Sequence, residues 1–201
     1  MNHLLSKIGS YPFEKLNLLH RDIKPSKEVI NLSIGEPKLN ADSKVLDILN
    51  KETNSFSNYP PMNAVPELSE AYRQYLKNHF GIENVAKDEV CLVAGTREGT
   101  FSIIQALFNK ENVKEKPYVV MPNPFYQIYG GATTLAGGEA KFLDCPEEDN
   151  FQPDLDSLKS EDWQKCQILV LCSPNNPTGS VLPLSKLCLL YTSDAADELS
   201  S

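Results

Sequence analysis

Two loop segments hold residues whose types and spacing could bind a charged ligand. Gly95–Gly99, with the sequence Gly-Thr-Arg-Glu-Gly, follows an apolar run and opens a predicted helix. Unpaired backbone N–H groups and the helix dipole favour an anion such as phosphate at such a helix start. The segment is neither a P-loop nor a GxGxxG dinucleotide fingerprint. A glycine turn that caps an ordinary helix explains it equally well.

The second segment is Ser173–Gly179, with the sequence Ser-Pro-Asn-Asn-Pro-Thr-Gly, directly after another apolar run. Its prolines restrict the backbone and favour a cis peptide, so Asn176 would be aimed rigidly. A plain turn built from turn-forming residues is the alternative. Between the two segments, Pro122–Tyr129 brings aromatic rings to a third loop, where one ring could stack on a planar ligand. Core packing is the alternative there and suits Phe125 and Ile128.

Strands and helices alternate from Val90 to Cys172, which predicts an α/β fold with a largely parallel sheet. Ligands bind at the carboxyl ends of strands in such sheets, so the loops that start at Gly95, Pro122 and Ser173 are the expected site. The predicted strands are Val90–Ala94, Pro117–Met121, Ala140–Leu143 and Ile168–Cys172. One helix is predicted to begin after Gly95. A second is predicted at Tyr126–Leu135, before a stop at Gly137-Gly138. A short helical turn is predicted at Leu155–Leu158.

The part of the chain before Val90 has a different pattern. Its first forty residues predict an irregular arm, with a strand-like run at Val29–Ile34. Helices are predicted at Ala41–Glu52 and from Pro66, the latter ending at Gly81.

Composition excludes several classes of protein. The 201 residues carry a net charge of -8, with a pI near 4.9, which argues against a nucleic-acid or anionic-membrane partner. No run approaches the roughly 18 apolar residues of a membrane span, and no signal peptide is visible, so a cytoplasmic protein is expected. The cysteines show no metal-ligand spacing. Cys91, Cys166 and Cys172 lie in or beside apolar runs and are expected to be reduced core thiols.

Five motifs together resemble a known family. They occur in the order found in the fold-type I, class I/II aminotransferases, which use pyridoxal 5'-phosphate. The motifs are Ser33–Pro37, Asn58–Pro60, Ala94–Glu98, Pro124–Tyr126 and Asn175–Gly179. Within that family, Asn123–Ala132 and Cys166–Pro174 look most like bacterial succinyldiaminopimelate transaminases.

The resemblance implies an incomplete, three-layer large domain like that of aspartate aminotransferase. It places the N-terminal arm and small-domain segment at residues 1–40 and the partial cofactor-binding domain at 41–187. Residues 188–201 no longer follow the family pattern and are expected to be a non-native tail on a truncated chain. A genuine short amphipathic helix with an acidic end is the alternative for this tail.

The resemblance also implies site residues and their roles. Gly95, Thr96 and Arg97 would hold the cofactor phosphate, Tyr126 would stack on the pyridine ring, and Asn176 would donate to the ring phenolate oxygen. Gly35 would meet the substrate carboxylate, and Tyr59 would reach the partner subunit's cofactor in a homodimer. The Schiff-base lysine, the pyridine-partner aspartate and the substrate-clamp arginines are expected downstream of the Asn176 loop. Lys186 is interpreted as a surface lysine.

The implied activity is transfer of an amino group between an amino acid and a 2-oxo acid, with N-succinyl-LL-diaminopimelate and 2-oxoglutarate as the expected pair. The fragment alone is expected to be inactive. The alternatives are another enzyme of the same fold, such as an aspartate- or alanine-type aminotransferase, a decarboxylase, a C–S lyase or a C–C bond-forming synthase, and a non-enzymatic regulator.

Overall fold

The computed structural model describes residues 2–59, 65–109 and 116–198, with side chains only to Tyr191 in the last helix. The chain divides into two compact units. One unit is Tyr11–Leu92, and the other joins residues 1–10 to 93–201.

A three-stranded parallel sheet forms the centre of the second unit. Its strands are β1 (Tyr118–Asn123), β2 (Glu139–Asp144) and β3 (Cys166–Leu169), in the order β2-β1-β3. Helix α5 (Ile128–Ala136) connects β1 to β2, and the chain then crosses back to place β3 on the other side of β1. The predicted parallel α/β sheet is therefore confirmed.

Strand β1 lies at the centre of the core. Val119, Val120 and Met121 are fully buried, because both faces of the central strand are covered. Val119 and Met121 belong to one buried cluster, together with Ile104, Phe108, Tyr129 and Ala132. Val120 belongs to a second cluster, together with Leu143 and Leu158.

The α-helices described in this unit are α4 (Thr96–Leu107), α5, α6 (Ser160–Lys165) and α7 (Leu184–Glu198). Gly137 ends α5 with a left-handed φ of 90°, as the predicted glycine stop requires. The boundary predicted at residues 187 and 188 falls inside α7.

Three predictions for this part of the chain differ from the structure. Val90–Ala94 is not a strand, since none of the described strands pairs with it. For that reason Cys91 is exposed rather than a core thiol, whereas Cys166 and Cys172 are half-buried. Strand β3 begins earlier than predicted and ends at Leu169, although the Val170 N–H still donates to the Val120 carbonyl at 2.8 Å.

The described part of the unit Tyr11–Leu92 contains helices and long non-helical segments, such as residues 21–42. Its helices are α1 (Pro12–His20), α2 (Ser43–Lys51) and α3 (Pro66–Phe80). The predictions for α2 and α3 are confirmed, and Gly81 ends α3 with a φ of 67°. The predicted irregular arm contains α1, which Pro12 opens from its first position, and Val29–Ile34 does not form a strand.

Candidate functional site

The N-terminus of α4 has backbone N–H groups that no side chain caps. Gly95 is the N-cap residue, with a φ of 125°, and no side chain caps the first turn. The first N–H groups of a helix have no acceptor within the helix, so those at Thr96 and Arg97 face outward. Both residues are exposed. Backbone donors at a helix start favour a negatively charged group.

The charged side chains of this turn differ in sign. A Cβ on Gly95 would lie 2.8 Å from Glu98 Oε2, so the Glu98 carboxylate lies directly against the glycine. A carboxylate is favoured at a helix N-terminus for the same reason as a phosphate. The Arg97 side chain makes no ion pair with the residues that the structure describes. Its guanidinium is therefore available to an added anion.

Helix α5 lies beside this turn. Residues from the two helices line one concave surface, formed by Arg97, Glu98, Phe101, Ser102 and Ile128. Ile128 is the first residue of α5, and Tyr126 precedes it by two positions. The predicted phosphate turn and the predicted aromatic loop are thus neighbours.

Tyr126 occupies the loop at the carboxyl end of β1. Its half-buried ring meets the Tyr129 ring edge to face, with centroids 5.7 Å apart. Phe125 and Ile128 pack against the core cluster, as the alternative interpretation of this loop predicts. Tyr126 also contacts that cluster, and the rest of its ring remains accessible.

Tyr129 and Cys172 form a contact that the sequence did not reveal. Tyr129 is buried, and burial together with the neighbouring Cys172 thiol raises the pKa of its phenol to about 12. Cys172 follows β3, and its Sγ lies 3.2 Å from the Pro174 carbonyl oxygen. The pair therefore links α5 to the loop that carries Asn176.

The loop after β3 orients its two asparagines differently. Asn175 is only 8% exposed, and its Nδ2 donates to Thr178 Oγ1 at 3.0 Å. Asn176 is exposed, and its side chain has no hydrogen bond to the described residues. The Ser173–Pro174 and Asn176–Pro177 peptides are both cis. Asn176, unlike Asn175, is therefore exposed to solvent.

The strands bring two of the predicted loops to one edge. Because β1 and β3 are parallel neighbours, the Tyr126 and Asn176 loops leave the same edge of the sheet. Gly35 and Tyr59 belong to the other compact unit, where Tyr59 is 99% exposed. Pro60 of the same motif lies outside the described residues.

The described part of the chain contains no group of three or more His, Cys, Asp or Glu side chains that could hold a metal ion. None of its helices is long and apolar enough to cross a membrane. Lys186 pairs with Asp149 at 3.4 Å on the surface.

Comparison with known proteins decides the family. The family described as aminotransferase class I and II matches residues 27–196. This chain belongs to that family. Members of the family use pyridoxal phosphate, and the expected fold class, that of aspartate aminotransferase, is confirmed.

Individual aminotransferases are similar over nearly the whole chain. The LL-diaminopimelate aminotransferase of Natranaerobius thermophilus is 28% identical over 89% of this chain and 46% of its own length. LL-diaminopimelate aminotransferase 2 of a Nostoc species is 30% identical over 90% of this chain and 46% of its own. A solved aminotransferase from Neisseria meningitidis is 38% identical, with a TM-score of 0.87, over 96% of this chain and 49% of that one. The chain spans about half the length of the aminotransferases that it matches.

Proposed function

We propose that this chain supplies the phosphate-binding and ring-binding half of a pyridoxal-phosphate-dependent aminotransferase. The observation that carries the proposal is the placement of three loops. The open N-terminus of α4 adjoins α5, and the Tyr126 and Asn176 loops leave one edge of the sheet. The bound cofactor would supply an electron sink for the carbon that loses its proton during amino transfer.

Gly95, Thr96 and Arg97 would hold the phosphate. The backbone N–H groups of the first turn donate to its oxygens, and the helix dipole adds to the attraction. Arg97 adds charge-assisted hydrogen bonds, because its side chain has no competing ion pair among the described residues. Gly95 adopts a φ of 125°, a backbone conformation that a residue with a side chain would strain.

Tyr126 and Asn176 would hold the ring. The accessible part of the Tyr126 ring stacks on the pyridine, while its contact with Tyr129 fixes its plane. The Asn176 amide donates to the phenolate oxygen of the ring. A hydrogen bond to a charged oxygen favours its ionised form, which keeps the cofactor ready for an incoming amine at neutral pH.

Gly35 and Tyr59 are the remaining residues of the proposed binding site. Nothing lies within 4 Å of a Cβ built on Gly35, so its backbone is open to a substrate carboxylate. The fully exposed Tyr59 would contact the cofactor phosphate of a second subunit in a homodimer. No residue of this chain is assigned as the Schiff-base lysine.

The proposed substrate is an amino acid of the diaminopimelate class, with a 2-oxo acid as the other partner. The sequence resemblance favours the N-succinyl form with 2-oxoglutarate, whereas the names of the similar proteins favour free LL-diaminopimelate. Assay of both amino donors with an active enzyme that contains this sequence decides between them. Turnover of the free form alone would contradict the succinylated assignment.

Binding of pyridoxamine 5'-phosphate to this chain tests the cofactor site without requiring turnover. This compound has the phosphate and the ring oxygen but needs no lysine. We expect saturable binding that shifts the NMR signals of Gly95–Arg97 and of the Asn176 side-chain amide. Inorganic phosphate should shift only the signals of Gly95–Arg97. A folded chain whose signals do not respond to pyridoxamine 5'-phosphate would contradict the proposed function.

A further inference from the structure

Gln152 is a buried polar side chain that lies far in sequence from the Asn176 loop. It follows β2, between short 3-10 turns at Glu147–Asp149 and Leu155–Ser157, and is 8% exposed. Its Nε2 donates to Ser180 Oγ at 2.6 Å and to the Val181 carbonyl oxygen at 2.8 Å. Both N–H groups of one amide therefore hold two consecutive residues.

Ser180 and Val181 form the returning half of the loop that presents Asn176. The Asn175 N–H donates to the Ser180 carbonyl at 2.8 Å, so the outgoing and returning halves are paired beside Asn176. The Leu182 N–H donates to Ser173 Oγ at 2.9 Å and closes the base of the loop. The hydrogen bonds from Gln152 to Ser180 and Val181 therefore also restrain the backbone next to Asn176.

The surroundings strengthen these hydrogen bonds. A small cavity beside the loop is lined mainly by apolar side chains, among them Phe151, Pro153, Leu171 and Leu182. Water competes poorly in such a setting, so a donor lost from Gln152 would not be replaced easily. The Gln152 Oε1 atom accepts no hydrogen bond from the described residues, so the amide anchors the loop through its donors.

We propose that Gln152 is a positioning residue for the cofactor site. Through Ser180 and Val181 it fixes the loop of residues 173–182 in the conformation that turns Asn175 inward and Asn176 outward. The inference rests on the proposed function only for what Asn176 contacts. The positioning itself is a property of the chain and can be measured without a ligand.

The test compares Gln152→Met with Gln164→Met. Methionine keeps the length of glutamine but has no donor, and Gln164 is an exposed glutamine on α6. We expect Gln152→Met to speed amide hydrogen exchange at Asn175 and Gly179 by about tenfold, since one hydrogen-bonded anchor is lost. Exchange in α4 and α5 should not change, and Gln164→Met should match the unmodified chain throughout.

Titration with pyridoxamine 5'-phosphate adds the functional half of the test. Gln152→Met should weaken binding by about threefold to tenfold, corresponding to the loss of a single polar contact. The shift of the Asn176 side-chain signal should disappear while those of Gly95–Arg97 persist. Combining Gln152→Met with Asn176→Ala should weaken binding no further than Asn176→Ala alone, because both changes act through one contact.

Three results would overturn the inference. They are unchanged exchange at Asn175 and Gly179, faster exchange throughout the sheet, and binding losses that add in the double variant. If Gln152→Met does not fold, Ser180→Ala removes one of the two hydrogen bonds and should give the same local pattern at smaller size. Absence of binding by the unmodified chain would contradict the proposed function, while the exchange data would still decide the role of Gln152.

Discussion

Gln105 on α4 donates from Nε2 to the carbonyl oxygen of Ala132 on α5 across 2.7 Å. This bond joins the two helices that line the concave surface beside Arg97. The buried side chains of Ile104 and Ala132 lie in the same core cluster. Helix α4 is therefore held against α5 by both polar and apolar contacts.

Adjacent isoleucines on α4 should differ sharply in their contribution to stability. Ile104 is 2% exposed, whereas Ile103 is 56% exposed. We expect Ile104→Ala to lower the free energy of unfolding by about 2–5 kcal/mol, because it leaves a cavity in the core. Ile103→Ala should change it by less than about 1 kcal/mol. Denaturant unfolding of both variants measures the difference, and equal losses would contradict the packing described for α4.

Gly95 should not tolerate a side chain. Its φ of 125° is strained for alanine, and the added Cβ would lie 2.8 Å from Glu98 Oε2. We expect Gly95→Ala to cost about 1–3 kcal/mol of stability and to weaken phosphate binding. Gly131→Ala is the matched control, since it lies within α5 with open space around its Cβ and should gain up to about 1 kcal/mol. Thermal unfolding measures both changes: the unfolding temperature should fall for Gly95→Ala and stay the same or rise for Gly131→Ala.

Arg97 should contribute to binding but not to folding. Because it is exposed and forms no ion pair with the described residues, Arg97→Gln should leave thermal stability unchanged. Affinity for pyridoxamine 5'-phosphate should fall by about tenfold through loss of charge-assisted hydrogen bonds. Arg21→Gln removes the same charge from an exposed position in the other compact unit. An equal loss of affinity in that control would mean that net charge alone attracts the ligand.

Tyr129 should make folding sensitive to alkaline pH. Burial and the Cys172 thiol raise the pKa of its phenol from 10.0 to about 12. The unfolded chain then loses the phenol proton at a lower pH than the folded chain. The protonated phenol therefore contributes its whole stabilising free energy below pH 10, and this contribution is lost as the pH rises through about 12. Unfolding curves over this range should fall more steeply for the unmodified chain than for Tyr129→Phe, and parallel curves would contradict the assignment.

Local signals in the sequence predicted much of the fold. The apolar run around Val120 predicted the central strand β1, because a strand covered on both faces needs apolar residues throughout. Gly81 and Gly137 predicted the ends of α3 and α5, since a left-handed residue commonly ends a helix. These features depend on neighbouring residues, which a sequence displays directly.

Features that depend on distant residues were missed. Gln152 lies 28 positions from Ser180, and nothing near Gln152 indicates their hydrogen bond. The contact of Tyr129 with Cys172 likewise crosses between two elements of the fold. The roles of Gly35, Tyr59, Gly95, Thr96, Arg97, Tyr126 and Asn176 stay predictions. The structure supports the loop positions of Tyr126 and Asn176 by placing β1 beside β3.

The apolar segment Val90–Ala94 has a consequence for the solubility of the chain. It is apolar, carries no charge or proline, and pairs with no described strand, while Val93 is 49% exposed. Backbone groups in such a segment can pair with the same segment of another molecule. The light that the chain scatters should therefore rise more than in proportion to its concentration, and Val93→Lys should restore proportionality.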